Sequence, residues 1–216
     1  MTAPLVTIVL PTHNARDSLG LALSGLLRQT EADWECLVID DGSSDGTPDI
    51  IESLGDPRIR VFRQRNRGPA AARNRGLDMA TGDFVAFLDD DDFWFPNYLA
   101  EMVAVARDGC IATADSLILP AVAPTGGRFA AYFTHFPSDP LFQKREILYW
   151  NFVSIMAVFP RELTSDGLRF NEDLERAEDW DFWIRAIELG WHVRLVSPAL
   201  AFLNRSASSQ TSATLL

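Results

Sequence analysis

An alternation of short apolar runs with helix-like segments, covering the first half of the chain, constrains the fold more than any other feature. Leu5 to Leu10 is apolar, rich in β-branched residues and closed by Pro11. Ser18 to Leu27 has helical character, with Asp17 or Ser18 as a candidate cap. Trp34 to Ile39 reads as a second strand, Thr47 to Leu54 as a short helix and Ile59 to Phe62 as a third strand. Pro69 to Ala80 reads as a third helix, with proline in its first turn and Gly82 just past its end, and Phe84 to Leu88 as a fourth strand. Strands separated by helices cannot pair as hairpins, so this order predicts a mostly parallel sheet covered by helices on both faces.

The second half is less regular. Phe93 to Arg107 contains a helix with Pro96 near its start, and Ile111 to Leu119 reads as a strand. Pro120 to Gly127 reads as a loop, and residues 128–160 are mixed and aromatic. Trp180, Trp183, Ile184 and Ile187 form one apolar stripe at helical spacing, ended by Gly190, and His192 to Val196 reads as a strand. The small polar tail RSASSQTSATLL reads as a loop or frayed end. A length of 216 residues suits one domain, 1–216, with residues 1–110 as one half and 111–216 as the other.

Open α/β sheets bind ligands beyond the carboxyl ends of their strands, and the unusual polar segments fall there. PTHN follows the first strand, DDGSSDG the second and DDDD the fourth. Four adjacent aspartates, Asp89 to Asp92, repel one another unless something offsets the charge. In an extended segment Asp89 and Asp91 share a face, as do Asp90 and Asp92. A hard divalent cation, Mg2+ or Mn2+, takes one or two such carboxylates and completes its shell with water and substrate phosphates. The plainer reading is a solvated acidic turn with Asp92 capping a helix. Asp40 and Asp41 end the second strand, where a carboxylate can accept hydrogen bonds from a base or ribose, although Asp, Gly and Ser also make an ordinary turn. Asp45 reads as a turn or cap residue.

Seven arginines lie between Arg58 and Arg75, most of them expected on a solvated face. Arg73 shares a helix face with Gly76, Leu77 and Ala80, where Gly76 leaves room for close backbone approach, and an arginine there can reach a diphosphate or a base. Glu178, Asp179 and Asp181 precede the striped helix. Capping suits Asp179 as well as a general-base role does, and local sequence does not separate the two.

Composition narrows the partners. Lys plus Arg is 19 and Asp plus Glu is 30, a net charge of −11, so neither nucleic acid nor anionic lipid is the default partner. Two cysteines without CxxC spacing, and three histidines of which no two share a helix face, argue against a zinc site or a disulfide framework. Cysteine usage fits a reducing, cytoplasmic compartment. His13 lies in the first ligand-side loop, while His135 and His192 read as structural. The longest largely apolar stretch, Ile147 to Phe159, is 13 residues long and includes Asn151 and Ser154, short of the roughly 20 residues of a bilayer span. Peripheral contact with a membrane surface stays open. GxGxxG, GxxxxGK[ST] and GxSxG are all absent, which removes the glycine signatures of dinucleotide enzymes, P-loop NTPases and nucleophile-elbow hydrolases.

Four segments together resemble the family 2 glycosyltransferases, which have the GT-A fold: VLPTHNARDSLGLALSGLLRQT, WECLVIDDGSSDGT, NRGPAAARNRGLDMATGDFVAFLDDDDFWFP and RAEDWDFWIRAIELGW. The resemblance runs from about Val6 to Trp191. It implies a Rossmann-like, mostly parallel sheet flanked by helices, with a smaller mixed acceptor-side region. The first half would bind a nucleotide sugar, and the second would bind the acceptor and carry the base. It implies transfer of a sugar from a nucleotide-diphosphate donor, with a UDP-sugar favoured, to a carbohydrate or lipid-linked sugar acceptor with inversion. The setting would be bacterial polysaccharide or glycoconjugate synthesis, in the cytoplasm or at the inner face of the membrane. Carried over by motif, Pro11, Thr12 and Asn14 lie beside the nucleotide, Asp41 contacts the base, Arg73 lies near the nucleotide and Asp90 near the ribose. Asp89 and Asp91 end the DxD motif and hold the metal, and Asp179 is the catalytic base. The stretch LNRSASSQTS has Arg205 but not the histidine that many members carry there. A catalytically silent nucleotide-sugar-binding protein or partner subunit is therefore the alternative reading.

Overall fold

The structure is a computed structural model, and it describes residues 4–120, 130–131 and 136–205. Of the expected loop at 120–127, Pro120 instead ends a strand and the rest lies outside these residues, as do His135 and nearly all of the polar tail. Within them the chain forms one mixed sheet whose strands run in the order β3 (Ile59–Arg63), β2 (Trp34–Asp40), β1 (Val6–Thr12), β4 (Phe84–Phe87), β8 (Val158–Pro160), β6 (Ile111–Pro120), β9 (Val193–Arg205) and β5 (Phe93–Trp94), with β7 (Ala130–Ala131) paired to β6.

The first half follows the pattern of its apolar runs. Strands β1 (Val6–Thr12), β2 (Trp34–Asp40), β3 (Ile59–Arg63) and β4 (Phe84–Phe87) are parallel. Helices α1 (Leu19–Leu27), α2 (Thr47–Leu54) and α3 (Pro69–Met79) make the crossovers. Side chains alternate across a strand, so β1 sends Val6, Ile8 and Leu10 into one core and Val9 into the other. Both faces of the sheet are buried, which is why these strands read as continuous apolar runs. Strand β1 continues through Pro11 to Thr12. Its pairing with β4 stops at Val9, so the N–H that proline lacks falls beyond that ladder.

In the second half the sheet turns mixed. Strand β8 (Val158–Pro160) runs antiparallel to both β4 and β6 (Ile111–Pro120). Strand β9 (Val193–Arg205) is parallel to β6 and antiparallel to β5 (Phe93–Trp94). The sequence pattern places a helix from Phe93 onward, but Phe93 and Trp94 pair with Phe202 and Ala201, and helix α4 (Tyr98–Ala106) begins only after Pro96. Strand β9 is also much longer than the run His192 to Val196, because its register slips at Ala114/Ser116 of β6 and then resumes. Short strand β7 is Ala130–Ala131, and helix α5 spans Pro140–Glu146, capped by Asp139, whose carboxylate accepts the Leu141 N–H at 2.8 Å.

Helix α6 (Glu178–Glu188) closes the second face. Trp183 and Ile187 are fully buried as the stripe predicts, Trp180 and Ile184 pack at its margin, and Gly190 ends the helix at φ 101°. Phe87, Phe159, Phe170 and Phe182 form the aromatic floor beneath the end of β4, with Phe170 and Phe182 stacked at 4.3 Å. On α3, a Cβ at Gly76 would lie 2.2 Å from Val9 Cγ1, so the helix reaches the sheet only because the side chain is absent.

Gly76→Ala should therefore lower stability by about 1–3 kcal/mol through overpacking. The exposed helical Gly20, with nothing within 4 Å of a Cβ, should tolerate alanine or gain about 0.5 kcal/mol. Urea melts of the two variants test the contrast, and equal midpoints would refute it.

Candidate functional site

The carboxyl edge of β3-β2-β1-β4 carries four loops, and the start of α6 faces the last of them. The first three loops are knitted into one rim. Asn14, at φ 52°, donates its backbone N–H to Ser43 Oγ at 2.9 Å and accepts the Ser44 N–H on Oδ1 at 2.8 Å. Asparagine tolerates the left-handed region better than most residues. His13 Nδ1 contacts the Asp41 carbonyl at 2.9 Å, while its Nε2 faces the side-chain amides of Asn14 and Asn66 at 3.0 and 3.2 Å. A carbonyl can only accept and an amide NH2 can only donate, so these contacts match the tautomer with its proton on Nδ1.

Asp41 is buried at this rim, and its carboxylate is heavily engaged. Oδ1 accepts from Gln64 Nε2 at 2.8 Å and the Arg67 N–H at 2.9 Å, and Oδ2 accepts the Gly68 N–H at 2.7 Å. Asp41 thus fastens the β3–α3 loop to the end of β2. Asp40 Oδ1 accepts the Ser43 N–H at 2.8 Å, and Arg63 lies 3.5 Å from its other oxygen. Asp45 is the turn residue expected: Oδ1 accepts the Thr47 N–H at 3.0 Å and Oδ2 the Arg16 N–H at 3.1 Å.

The four aspartates are not extended. Asp92 donates its N–H to the Asp89 carbonyl at 3.2 Å, which closes a turn over Asp90 and Asp91. The alternating-face argument therefore fails for this segment, and the turn sends each carboxylate a different way. Asp89 pairs with Arg73 at 2.8 Å, and Asp90 accepts the His13 N–H at 3.3 Å. Asp92 is buried and caps no helix, since α4 starts at Tyr98 behind Asn97. Asp91 has no cationic side chain within ion-pair distance among the described residues. Burial first, then the charges of Asp89 and Asp90, push its carboxyl up to about 7. Asp90 is pushed up to about 6, mainly by burial, against the Thr12 hydroxyl that favours its charged form.

Arg73 lies under this turn, 4% exposed. One guanidinium nitrogen meets Asp89 and another meets Glu178, both at 2.8 Å, and the Phe170 ring lies 5.5 Å from its centre. Burial opposes its charge, but Asp89 and Glu178 outweigh that and hold it above its usual range. The sequence reading sends this side chain toward a ligand. The structure instead makes it the link between the end of β4 and the start of α6.

Asp179 is partly buried one residue beyond Glu178. The capping reading is corrected here: the cap position is Ala177, strained at φ 58°, and Asp179 lies inside the first turn. Its Oδ2 accepts from Asn151 Nδ2 at 3.0 Å. Burial, and then Glu178, raise its carboxyl above the usual range, while Arg73 pulls the other way. The site therefore joins Thr12, Asp89, Asp90, Asp91, Arg73 and Asp179 in one region, with Asn14 and Asp41 in the rim beside it. Asn151, Phe170 and Glu172 were not picked out from sequence. Asn151 had left one trace, as a polar interruption of ILYWNFVSIMAVF. Glu172, which pairs with Arg67 at 2.7 Å and accepts from Asn74 at 3.0 Å, had left none.

A hard divalent cation would find two carboxylates at the acidic turn: Asp91, crowded by like charge and with no cationic side chain within ion-pair distance among the described residues, and Asp89, already paired with Arg73. Among the described residues no three His, Cys, Asp or Glu side chains are placed to hold a metal. A cation here would complete its shell with water and phosphate oxygens, as Mg2+ commonly does.

A parallel half-sheet with this acidic turn, backed by a mixed half carrying α6, defines the GT-A class of α/β fold. A family model described as Glycosyl transferase family 2 matches residues 7–167, and the chain belongs to that family. A UDP-Glc:alpha-D-GlcNAc-diphosphoundecaprenol beta-1,3-glucosyltransferase of Escherichia coli is 41% identical over 102 residues, 47% of this chain and 40% of that protein. The succinoglycan biosynthesis protein ExoO of Rhizobium meliloti is 32% identical over 200 residues, 87% of this chain and 57% of that protein. The chain thus spans about half the length of these relatives. Two solved structures share the fold. S. aureus TarS 1–349 in complex with UDP-GlcNAc has a TM-score of 0.77 at 23% identity, covering 98% of this chain and 61% of that one. The mannosyltransferase PcManGT of Pyrobaculum calidifontis, in complex with GDP-Man and Mn2+, has a TM-score of 0.72 at 22% identity, covering 97% and 59%.

The acidic turn sets a pH dependence. The Asp91 carboxyl is raised on folding, so the folded state binds more protons than the unfolded chain between about pH 4 and 7. Stability is then highest in acid and is lost as pH rises through about 7. Without divalent cations, Asp91→Asn should be more stable than the parent at pH 8 by about 1–2 kcal/mol, a figure discounted because the carboxylate keeps contact with water, and should show no advantage at pH 4. Thermal melts in EDTA at both pH values test this, and an Asn variant with no gain at pH 8 would refute it.

Proposed function

We propose that the chain is the donor-binding and base-carrying part of a metal-dependent, inverting glycosyltransferase of bacterial polysaccharide or glycoconjugate synthesis. One observation carries this reading: the buried Asp89–Arg73–Glu178 bridge sets Asp179 beside the acidic turn although the two are about 90 residues apart in sequence. In this reading residues 1–110 hold a nucleotide sugar, with a UDP-sugar favoured, and residues 111–216 receive the acceptor. The names of the Escherichia coli relative and of the TarS complex, both citing UDP-sugars, support that donor class. Pro11, Thr12, Asn14 and Asp41 flank the nucleotide, Arg73 lies below it and Asp90 lies near the ribose. Asp41 can meet a base only if Gln64 yields its place on Oδ1.

Inversion needs an acceptor oxygen to attack the anomeric carbon on the face opposite the leaving diphosphate. Asp179 would take the acceptor hydroxyl proton as the new C–O bond forms and the bond to the diphosphate oxygen breaks, its electron pair leaving with the diphosphate. The raised carboxyl suits this task, because a base works best with a pKa near the working pH. Mg2+ or Mn2+ held by Asp89 and Asp91 would offset the charge on the departing diphosphate.

The acceptor is a sugar, free or lipid-linked. Leu141, Phe142, Leu148 and Tyr149 stand 50–80% exposed on and just after α5, close in sequence to Asn151. Among the described residues no helix is long and apolar enough to cross a membrane. Both cysteines are free and buried, in keeping with a reducing compartment. We place the protein in the cytoplasm, with this apolar cluster resting on the inner face of the membrane. Vesicle flotation should show binding that drops several-fold when Leu148 and Tyr149 are changed to Ser, and unchanged binding would remove the membrane role.

Asp179→Asn should lower turnover by roughly 10²–10⁴-fold, with nucleotide binding retained. EDTA should abolish transfer, and Mn2+ should restore it. A donor panel assayed with calorimetry separates this from a silent binding protein, for which nucleotide sugars would bind with no turnover. Full turnover by Asp179→Asn would remove the base assignment, and full turnover in EDTA would remove the metal.

A further inference from the structure

Helix α6 is tied to the segment 147–153 at two adjacent residues. Trp180 Nε1 donates to the Ile147 carbonyl at 2.5 Å, and Asn151 Nδ2 donates to Asp179 Oδ2 at 3.0 Å. Asn151 is itself held. Its Oδ1 accepts the Val153 N–H at 3.1 Å, and Phe152 and Val153 are buried, at 0% and 1% exposed. With the amide oxygen fixed on a backbone donor, the NH2 group must face the carboxylate, so the hydrogen-bond network settles the orientation of the side chain.

We propose that Asn151 is a positioning residue for the base: its amide sets the direction of the Asp179 carboxylate and hydrogen-bonds its anionic form. The proposal rests on the reading of Asp179 as the base. Anchoring one carboxylate oxygen fixes where the other presents its lone pairs, and a proton acceptor must point at the acceptor hydroxyl to work. The choice of a neutral amide has a physical reason. Glu178 on the same helix and Asp89 at the end of β4 disfavour charge on Asp179, and Arg73 on α3 favours it. The segment 147–153 contributes no formal charge at neutral pH. A second cation in place of Asn151 would weaken the base, whereas no amide N–H at all would raise the carboxyl further and leave it free to rotate.

The test is the pH profile of donor turnover. The donor is whichever nucleotide sugar gives the highest turnover in a panel that starts with UDP-glucose and UDP-N-acetylglucosamine. Loss of the donor in Asn151→Ala should move the acid limb of kcat/KM to higher pH by about one unit. It should lower kcat by about 10-fold and leave the donor KM within about twofold, because positioning acts on the chemical step and not on donor binding. Asn151→Asp keeps an oxygen for the Val153 N–H and replaces the donor by a second anion. It should melt lower than the parent at neutral pH, because two adjacent carboxylates repel, yet stay folded, and it should move the limb further than alanine does. An acid limb unmoved in a folded Asn151→Asp protein overturns the proposal. Asp179→Asn is run alongside. Full turnover there overturns the base assignment and this proposal together, while an inactive Asp179→Asn with an unmoved limb overturns this proposal alone.

Discussion

The buried arginine between Asp89 and Glu178 is the interaction on which the rest of the site depends. Its partners come from the end of β4 and the start of α6, elements on opposite sides of a long irregular segment. A buried ion pair is a poor source of net stability, because desolvation cancels much of the attraction. Removing one partner is nevertheless costly, since it strands the others. What the bridge supplies is position. It holds the acidic turn and the start of α6 at a fixed separation, with the face of Phe170 as support. The aromatic floor of Phe87, Phe159, Phe170 and Phe182 keeps that support rigid.

Electrostatically, the region is arranged in opposing pairs. Asp89 and Glu178 share the single positive charge of Arg73, while Asp90, Asp91 and Asp179 keep carboxyls raised by burial and by neighbouring charge. The raised groups mark where the protein tolerates strain, and such groups concentrate at functional sites. Burial and neighbouring carboxylates raise Asp91, and burial and Glu178 raise Asp179, so one physical cause acts at both ends of the cluster. The net charge of −11 fits this arrangement only in part, since many of the acids are engaged elsewhere, as Asp41 is with the β3–α3 loop.

The legibility of the chain follows the range of the forces involved. Strands β1 to β4 could be read because both faces are buried, so local apolar runs and tertiary burial agree. The stripe of α6, the turn at Asp45 and the close approach at Gly76 are likewise set by neighbours in sequence or by one missing side chain. Strands β5, β7 and β8 could not be read. They have two or three residues each and exist only because a distant strand supplies the hydrogen bonds. The extended reading of Asp89 to Asp92 failed for a similar reason. Alternation holds in a strand, and this segment leaves the sheet and closes a turn.

The sequence by itself determined the class of fold, the family and the short list of acids, because apolar periodicity and motif order are properties of the chain read in one dimension. Only the tertiary structure decided what each acid does. It gave Asp89 and Glu178 to Arg73, left Asp91 without an ion-pair partner among the described residues, turned Asp41 into a strut and put Asn151 against Asp179. Those assignments depend on which side chains meet across the fold and how far water is excluded there, and neither is encoded in any local stretch of residues.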